Sequence, residues 1–245
     1  MLKRSLIGLI GIVALWSAAV HIFEVPDFLL PGPWAVAQRI VFLFQHANLL
    51  WHIYVTLSEI LGGFLLGAVV GVASAIAFSR SPLLLRLTTP LILLLQTTPK
   101  IAIAPLLLLW LGLGAAPKIV LVAIVTFFPV MTAMLSGITY MNKSYSDLAG
   151  VLRLSQWQRF RHIELPAAIP TLFAGATVAT TLAMTAAVIG ELMGANKGVG
   201  FLLANGQENA DTATVIGMVI LLSFLGWAFF AVLDFGRRRV EDRYS

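Results

Sequence analysis

The sequence sets polar side chains where an apolar chain should carry none. Within residues 86–105, the run Gln96-Thr97-Thr98-Pro99-Lys100 interrupts an otherwise aliphatic stretch. Counting about 1.5 Å of rise per residue from Arg86 puts Gln96 about 15 Å deep, near the middle of a ~30 Å hydrocarbon core. Pro99 and Pro105 each delete a helical hydrogen bond, so a bend or unwound turn is predicted at both. Broken backbone at that depth, with an amide, two hydroxyls and an ammonium beside it, is tolerated only next to a cavity or a protein neighbour. Gln96, Thr97, Thr98 and Lys100 are therefore candidates for the lining or gate of a pathway. For Lys100 two readings stand: it meets an anion, or it snorkels to the outer headgroups or pairs with a carboxylate.

Glu191 is the second costly group. It follows Ala183 and Ala187 at helical spacing on a small-residue face, so it is predicted to point into a bundle. Gly190, Gly194, Gly198 and Gly200 then end the helix in a loop. A hydrogen-bonding role, to loop amides or to Lys100, is predicted for it; proton coupling is the sharper alternative, and either way it joins the pathway or gate candidates. His21, His46, His52 and His162 are too far apart to form a ligand pair, so no metal site is predicted. There is no cysteine, and no Gly-x-x-x-x-Gly-Lys-Ser/Thr, His-Glu-x-x-His or Gly-x-Ser-x-Gly pattern. The chain is not expected to be an enzyme or to hold a cofactor. If ATP drives it, ATP and Mg belong to a separate subunit.

The elements that position these groups are membrane helices. The 245 residues are 59% hydrophobic and only 11% charged, against about 25% charged in soluble domains, and the mean hydropathy is +0.94. Spans are predicted at about 5–23, 54–79, 83–112, 117–140, 167–194 and 212–236. The predicted fold is all-α: six transmembrane helices in one domain over residues 1–245. Ser17-Ala18-Ala19 is a weak cleavage site after a long apolar run, so the first helix is expected to be retained. Lys3, Arg4, Arg80, Arg86, Lys143, Arg153, Arg159, Arg161, Arg237, Arg238, Arg239 and Arg243 fall on one side of the predicted topology. Only Arg39, Lys100, Lys118 and Lys197 fall elsewhere. That bias places both termini in the cytoplasm. The charge of +5 is scattered at span ends and points to topology, not to nucleic acid.

Two spans carry small residues at four-residue spacing: Gly63, Gly67 and Gly71 in the second, and Gly175, Ala179, Ala183 and Ala187 in the fifth. Such stripes let helix backbones approach closely in lipid. They are read either as plain tight packing or as a moving seam. Between the first two spans, residues 34–46 read as a short interfacial helix. Trp34, Val36, Ile40, Val41 and Phe44 are expected on its apolar side and Gln38, Arg39 and Gln45 on the other.

Between spans four and five lies a basic amphipathic segment from Asp147 to Pro166, with residues 144–162 forming a soluble-facing loop. It resembles the cytoplasmic coupling loop of ATP-binding-cassette importer permeases, whose pattern is Glu-Ala-Ala, a later glycine, then Ile-x-Leu-Pro. Asp147-Leu148-Ala149 stands for the first element, Ile163-Glu164-Leu165-Pro166 for the last, and Arg153 occupies the glycine position. An arginine there suggests that the turn does not need positive φ. Residues 99–114, Lys118-Ile119, Phe127-Phe128-Pro129-Val130, Leu165–Pro170, Glu191–Ala195 and Gly198-Val199-Gly200 look like the same stretches of the nitrate, taurine and aliphatic-sulfonate permeases. That group also includes thiamine-pyrimidine, riboflavin and bicarbonate permeases, and the similarity runs over about residues 30–239.

The resemblance implies a permease homodimer in the bacterial inner membrane that forms one pathway. It also implies two cytoplasmic ATPase subunits and a periplasmic or lipid-anchored substrate-binding protein. It places the coupling helix in an ATPase groove, with Leu148, Leu152, Leu154, Trp157 and Phe160 filling apolar pockets. Arg153, Arg159 and Arg161 would meet acidic groups or membrane lipid. The solute implied is small: a sulfonate, taurine, nitrate or a vitamin precursor. The rival class is an ion-driven secondary transporter, against which stand six spans and no clear inverted repeat.

Overall fold

The computed structural model describes residues 2–140 and 151–244, in which all regular structure is helical. Asp147, Leu148 and Ala149 lie outside the described residues, and Lys100 is placed by its backbone alone. The helices are α1 (Leu2–Ile22), α2 (Pro33–His46), α3 (Leu49–Arg80), α4 (Pro82–Thr97), α5 (Lys100–Leu111) and α6 (Ala116–Thr139). After residues 141–150 come α7 (Gln156–Arg159), a π-turn (Phe160–Glu164), α8 (Leu165–Leu192), α9 (Val199–Glu208) and α10 (Thr212–Tyr244). Among the described residues, four stretches are long and apolar enough to cross a membrane: Leu49–Arg80, Ala116–Thr139, Gln156–Leu192 and Thr212–Val240. Shorter apolar helices run over Ile10–Ile22, Leu83–Leu94 and Ile101–Leu111.

The bundle is built on α3, α6 and α8. Its largest core gathers Ile60 and Phe64 of α3, Leu121, Val122 and Val125 of α6, and Ala179, Ala183 and Ala187 of α8. The two small-residue stripes are the reason the three helices pack so closely. A methyl group built on Gly63 would stand 2.6 Å from the Ile119 carbonyl oxygen, and one on Gly71 2.9 Å from that of Phe127. On Gly67 it would run into the Ala123 carbonyl, and on Gly175 it would come within 2.6 Å of the Pro129 carbonyl. Both stripes therefore face α6, whose backbone carbonyls and the side chains of Val122, Thr126 and Ala133 come up against the glycines.

The sequence expectation for 83–112 is met at Pro99 and corrected at Pro105. The backbone unwinds at Thr98 and Pro99, both extended with ψ of 130° and 112°, which divides the segment into two helices. A proline pushes the residue before it out of the helical region, and Thr98 obeys. Pro105 breaks nothing: α5 continues through it, with Ala104 and Leu107 buried beside it. The first end of this segment is fixed by Ser81, whose hydroxyl accepts from the Leu84 amide at 3.3 Å ahead of Pro82.

Helix α2 also departs from expectation. Val36 and Leu43 are buried, and Ile40 packs with Leu43, while Trp34, Val41 and Phe44 are exposed. The protein-facing stripe is thus 36–40–43, and it meets α10 where Gly217 comes up against Ile40 and Val36. Trp34, Val41 and Phe44 form a separate outward apolar face.

Candidate functional site

Three polar clusters and one groove stand out along the bundle. At the end where α3 and α6 begin and α8 finishes, Glu191 is a hub with 1% exposure. Its Oε1 accepts from the Thr56 hydroxyl and its Oε2 from the Gly200 amide, each at 2.6 Å. Thr56 in turn accepts from the Val199 amide at 2.8 Å, and His52 Nδ1 meets the Gly198 backbone at 3.0 Å. Gly198 must be glycine on two counts. Its φ is +113°, and a methyl group there would collide with the Glu191 carboxylate. The loop-amide partner predicted for Glu191 is thus present. Among the described side chains the lysine near it is Lys118 of α6, whose stem packs against Gly190. Lys118 Nζ pairs with Glu59 Oε1 at 2.5 Å, with both side chains buried. Glu59 and Lys118 were missed; the only signal is an ionisable residue standing alone in each of two apolar runs.

Beside this end, Arg39 of α2 forms an ion pair with Asp211 and donates through Nε to the Thr214 hydroxyl at 2.8 Å. Partial burial alone would raise the Asp211 carboxyl. The Thr214 hydroxyl and amide, with the Arg39 guanidinium, more than offset that and hold it below the usual carboxylate range. This cluster fastens α2 to the start of α10.

At the opposite end, Glu164 is the hub, again 1% exposed. Arg80, the last residue of α3, grips it through two bonds of 2.9 and 2.5 Å, and Arg159 Nε adds a third at 2.8 Å. The fork of the guanidinium suits a carboxylate held in this bidentate way. Glu164 closes a π-turn, a distortion often found at functional positions. Ahead of it, Ser155 and Gln158 cap α7 reciprocally: the Ser155 hydroxyl accepts from the Gln158 amide at 3.3 Å and the Gln158 side chain from the Ser155 amide at 2.9 Å. Segment 155–164 is thereby a defined projection clamped to the end of α3. Arg80 and Glu164 were not singled out from sequence, although Glu164 sits alone between a basic run and a proline.

On that projection Trp157 is 65% exposed, and just ahead of it Leu152 and Val151 are 57% and 80% exposed. Leu154 is half-buried, Arg161 is exposed, and Phe160 packs partly on the chain's own cluster of Met131, Met134 and Ala168. Arg153 corrects an expectation: its φ is +49°, so this turn does adopt the left-handed conformation that a glycine would favour. Pro166 is the second residue of α8, directly after the π-turn, and offers no backbone amide hydrogen there.

Between the two ends, Gln96 lines an open groove of about 670 Å³ with Thr132, Ser136, Thr171, Gly175 and Val178. The expected cluster is only partly gathered there. The Thr97 and Thr98 hydroxyls bond back to carbonyls of their own helix, at 3.0 Å to Leu93 and 2.8 Å to Leu94, and Glu191 belongs to the Lys118 end. No group of three or more metal-ligating side chains occurs among the described residues.

Apolar helices of spanning length, a groove along them and a clamped projection at one end describe an integral membrane transport subunit. The chain belongs to the binding-protein-dependent transport system inner membrane component family, whose pattern matches residues 63–245. A probable ABC transporter permease protein of Haemophilus influenzae is 33% identical, the alignment covering 96% of this chain and 94% of the relative. The riboflavin transport system permease protein of Chloroflexus aurantiacus is 30% identical over 89% of this chain and 82% of its own length. Among solved structures, the MetNI methionine ABC transporter in an inward-facing conformation matches with a TM-score of 0.67 at 18% identity. That match covers 82% of this chain and 97% of the solved one and shows a shared fold.

Proposed function

We propose that this chain, as one permease domain, forms a homodimer that lines the translocation pathway of an ATP-driven importer. Residues 144–162 couple it to a separate ATPase. The observation that carries this reading is the projection at the Arg80 end. Large apolar side chains stand exposed there: Trp157 on a capped turn that is clamped to a spanning helix, and Leu152 just ahead of that turn. An exposed aromatic beside aliphatic neighbours on a rigid base suits an interface anchor. In this reading both termini and the projection are cytoplasmic, six helical segments cross the membrane, and α4 and α5 together make the third crossing. The groove holding Gln96, Thr132, Ser136 and Thr171 contributes to the pathway, with Thr97, Thr98 and Lys100 at the helix break beside it. A substrate-binding protein delivers the solute from the other side. Permeases named for aliphatic sulfonates, taurine, riboflavin and formylaminopyrimidine are relatives, which supports a small polar solute of that kind.

Reconstitution tests the class. Vesicles containing this chain, its ATPase and its binding protein should take up solute only with ATP on the ATPase side, and the chain alone should hydrolyse none. Uptake by the chain alone, driven by a proton or sodium gradient, would overturn the proposal.

A further inference from the structure

The Lys118 end brings two carboxylates to one ammonium, out of reach of water. Glu59 and Glu191 are each 1% exposed, and Lys118 is nearly as well sealed. The two carboxyl groups interact directly with each other as well as with Lys118. Glu59 Oε1 takes the lysine, but Glu59 Oε2 is buried without a hydrogen-bond donor. Glu191 Oε1 and Oε2 each accept one hydrogen bond, from Thr56 and Gly200, and each keeps a second lone pair able to accept another.

Among the described side chains, the surrounding elements offer no further charge to balance the pair. On α3 the other titratable groups are His52, whose Nδ1 is spent on the Gly198 backbone, Tyr54, which is exposed, and Arg80, which grips Glu164 at the far end. Lys197, before α9, stands exposed over the Trp51 ring at 5.8 Å. Arg39 and Asp211 satisfy each other where α2 meets α10. Helix α5 reaches this end through Leu108, near Gly194, with Lys100 at its opposite end. Two ionised carboxylates would leave one uncompensated negative charge in the core, an arrangement that proteins resolve by taking up a proton. Ionised carboxylates are also acceptor-only, so two that face each other need a hydrogen between them.

We propose that the Glu59–Glu191 pair is a proton-binding site, with one proton on Glu59 Oε2 donated to the Glu191 carboxylate while Lys118 neutralises the charge that remains. The site joins α3, α6 and α8 and, through Gly200, the start of α9. Loss of the proton would put two anions on one lysine and loosen the 198–200 turn from α3.

The test needs no transport assay, so its outcome is independent of the coupling proposal. The full chain, purified into lipid nanodiscs, is measured at neutral pH by infrared spectroscopy with and without carboxyl-labelled glutamate. Expected is a buried carboxylic-acid carbonyl band that the isotope shifts, lost in Glu59→Gln and lost equally in Glu191→Gln. Thr56→Val, which removes the hydroxyl donated to Glu191, should move the band without abolishing it. That variant keeps the test decisive if either glutamine variant fails to fold. No such band in the wild-type chain, a band that survives in both glutamine variants, or one that Thr56→Val leaves in place would overturn the proposal. A band that disappears on adding sodium or potassium would identify a metal cation as the occupant and overturn it equally.

Discussion

Arg153 shows how one side chain can obscure a backbone requirement. A non-glycine residue in the left-handed region costs roughly 1–2 kcal/mol, and Arg153 sits there with a φ of +49°. Arg153→Gly should therefore raise thermal stability by up to about 1 kcal/mol, reduced by the greater freedom of glycine in the unfolded chain. Arg153→Val, β-branched at the same φ, should lower it. Thermal melts of the purified chain in detergent check both; a lower melting temperature for the glycine variant would contradict the strained turn. The sequence could not reveal this, because residue type reports backbone conformation only on average and arginine argues for the wrong region. Glu191 lies at the other extreme. An acid after a stripe of small residues, followed by glycines, allows few partners other than loop amides, and those are the partners found. Glu59, Lys118, Arg80 and Glu164 are intermediate cases. Each is visible as an isolated charge, but its partner lies on another helix, and one sequence carries no register between helices.

At the scale of elements, what was legible follows from local rules and what was not follows from packing. Four-residue spacing of small residues predicted close approach, and the contacts of Gly63, Gly67 and Gly71 with α6 backbone bear this out. The break at Thr98 followed from the proline after it, whereas the continuity of α5 through Pro105 depends on burial of its neighbours. Helix α2 was misread because its apolar residues make two faces, one on the protein and one outward; a single wheel merges them. The π-turn at 160–164 leaves no sequence signature at all. The close packing yields the element-scale prediction. Gly67→Leu would force a branched side chain into the Ala123 carbonyl and Thr126, where nothing can move aside except the helix itself. Overpacking of this kind costs about 1–3 kcal/mol or more. The variant should show a lower melting temperature and easier proteolysis between α3 and α6, whereas Gly62→Leu, one position off the stripe against only the flexible Ile119 side chain, should be far milder. Equal behaviour of the two variants would refute the α3–α6 seam.

For the whole molecule, two of the buried acids, Glu191 and Glu164, divide the labour between its ends. Glu191 organises the turn into α9, and Glu164 ties segment 155–164 to the last residue of α3. Helix α3 carries Glu59 in its first half and Arg80 as its last residue, so the clamps sit on one continuous element whose glycine stripe lies against α6. In the proposed coupling role, the exposed anchors and the clamp make different contributions. Truncating the anchors should weaken ATPase binding, because a few buried residues dominate such interfaces. Leu152→Asp and Trp157→Ala are expected to reduce recovery of the ATPase with the purified permease at least tenfold, the effect of about 1.4 kcal/mol. Both variants should insert and melt like the wild type, since neither side chain is packed in the core. Glu164→Ala should behave in the opposite way. It leaves two guanidinium groups without their buried partner, a loss of about 3–5 kcal/mol when a buried pair is broken. Partial exposure of Arg80 and Arg159 reduces that figure. The ATPase should still bind through Leu152 and Trp157, while its hydrolysis proceeds with little uptake, because the projection is no longer tied to α3. Pull-down, ATP hydrolysis and vesicle uptake measured on all three variants separate the two roles. Normal docking and normal uptake in both anchor variants would refute the assignment of this surface to the ATPase, and normal uptake in Glu164→Ala would show that the clamp transmits nothing.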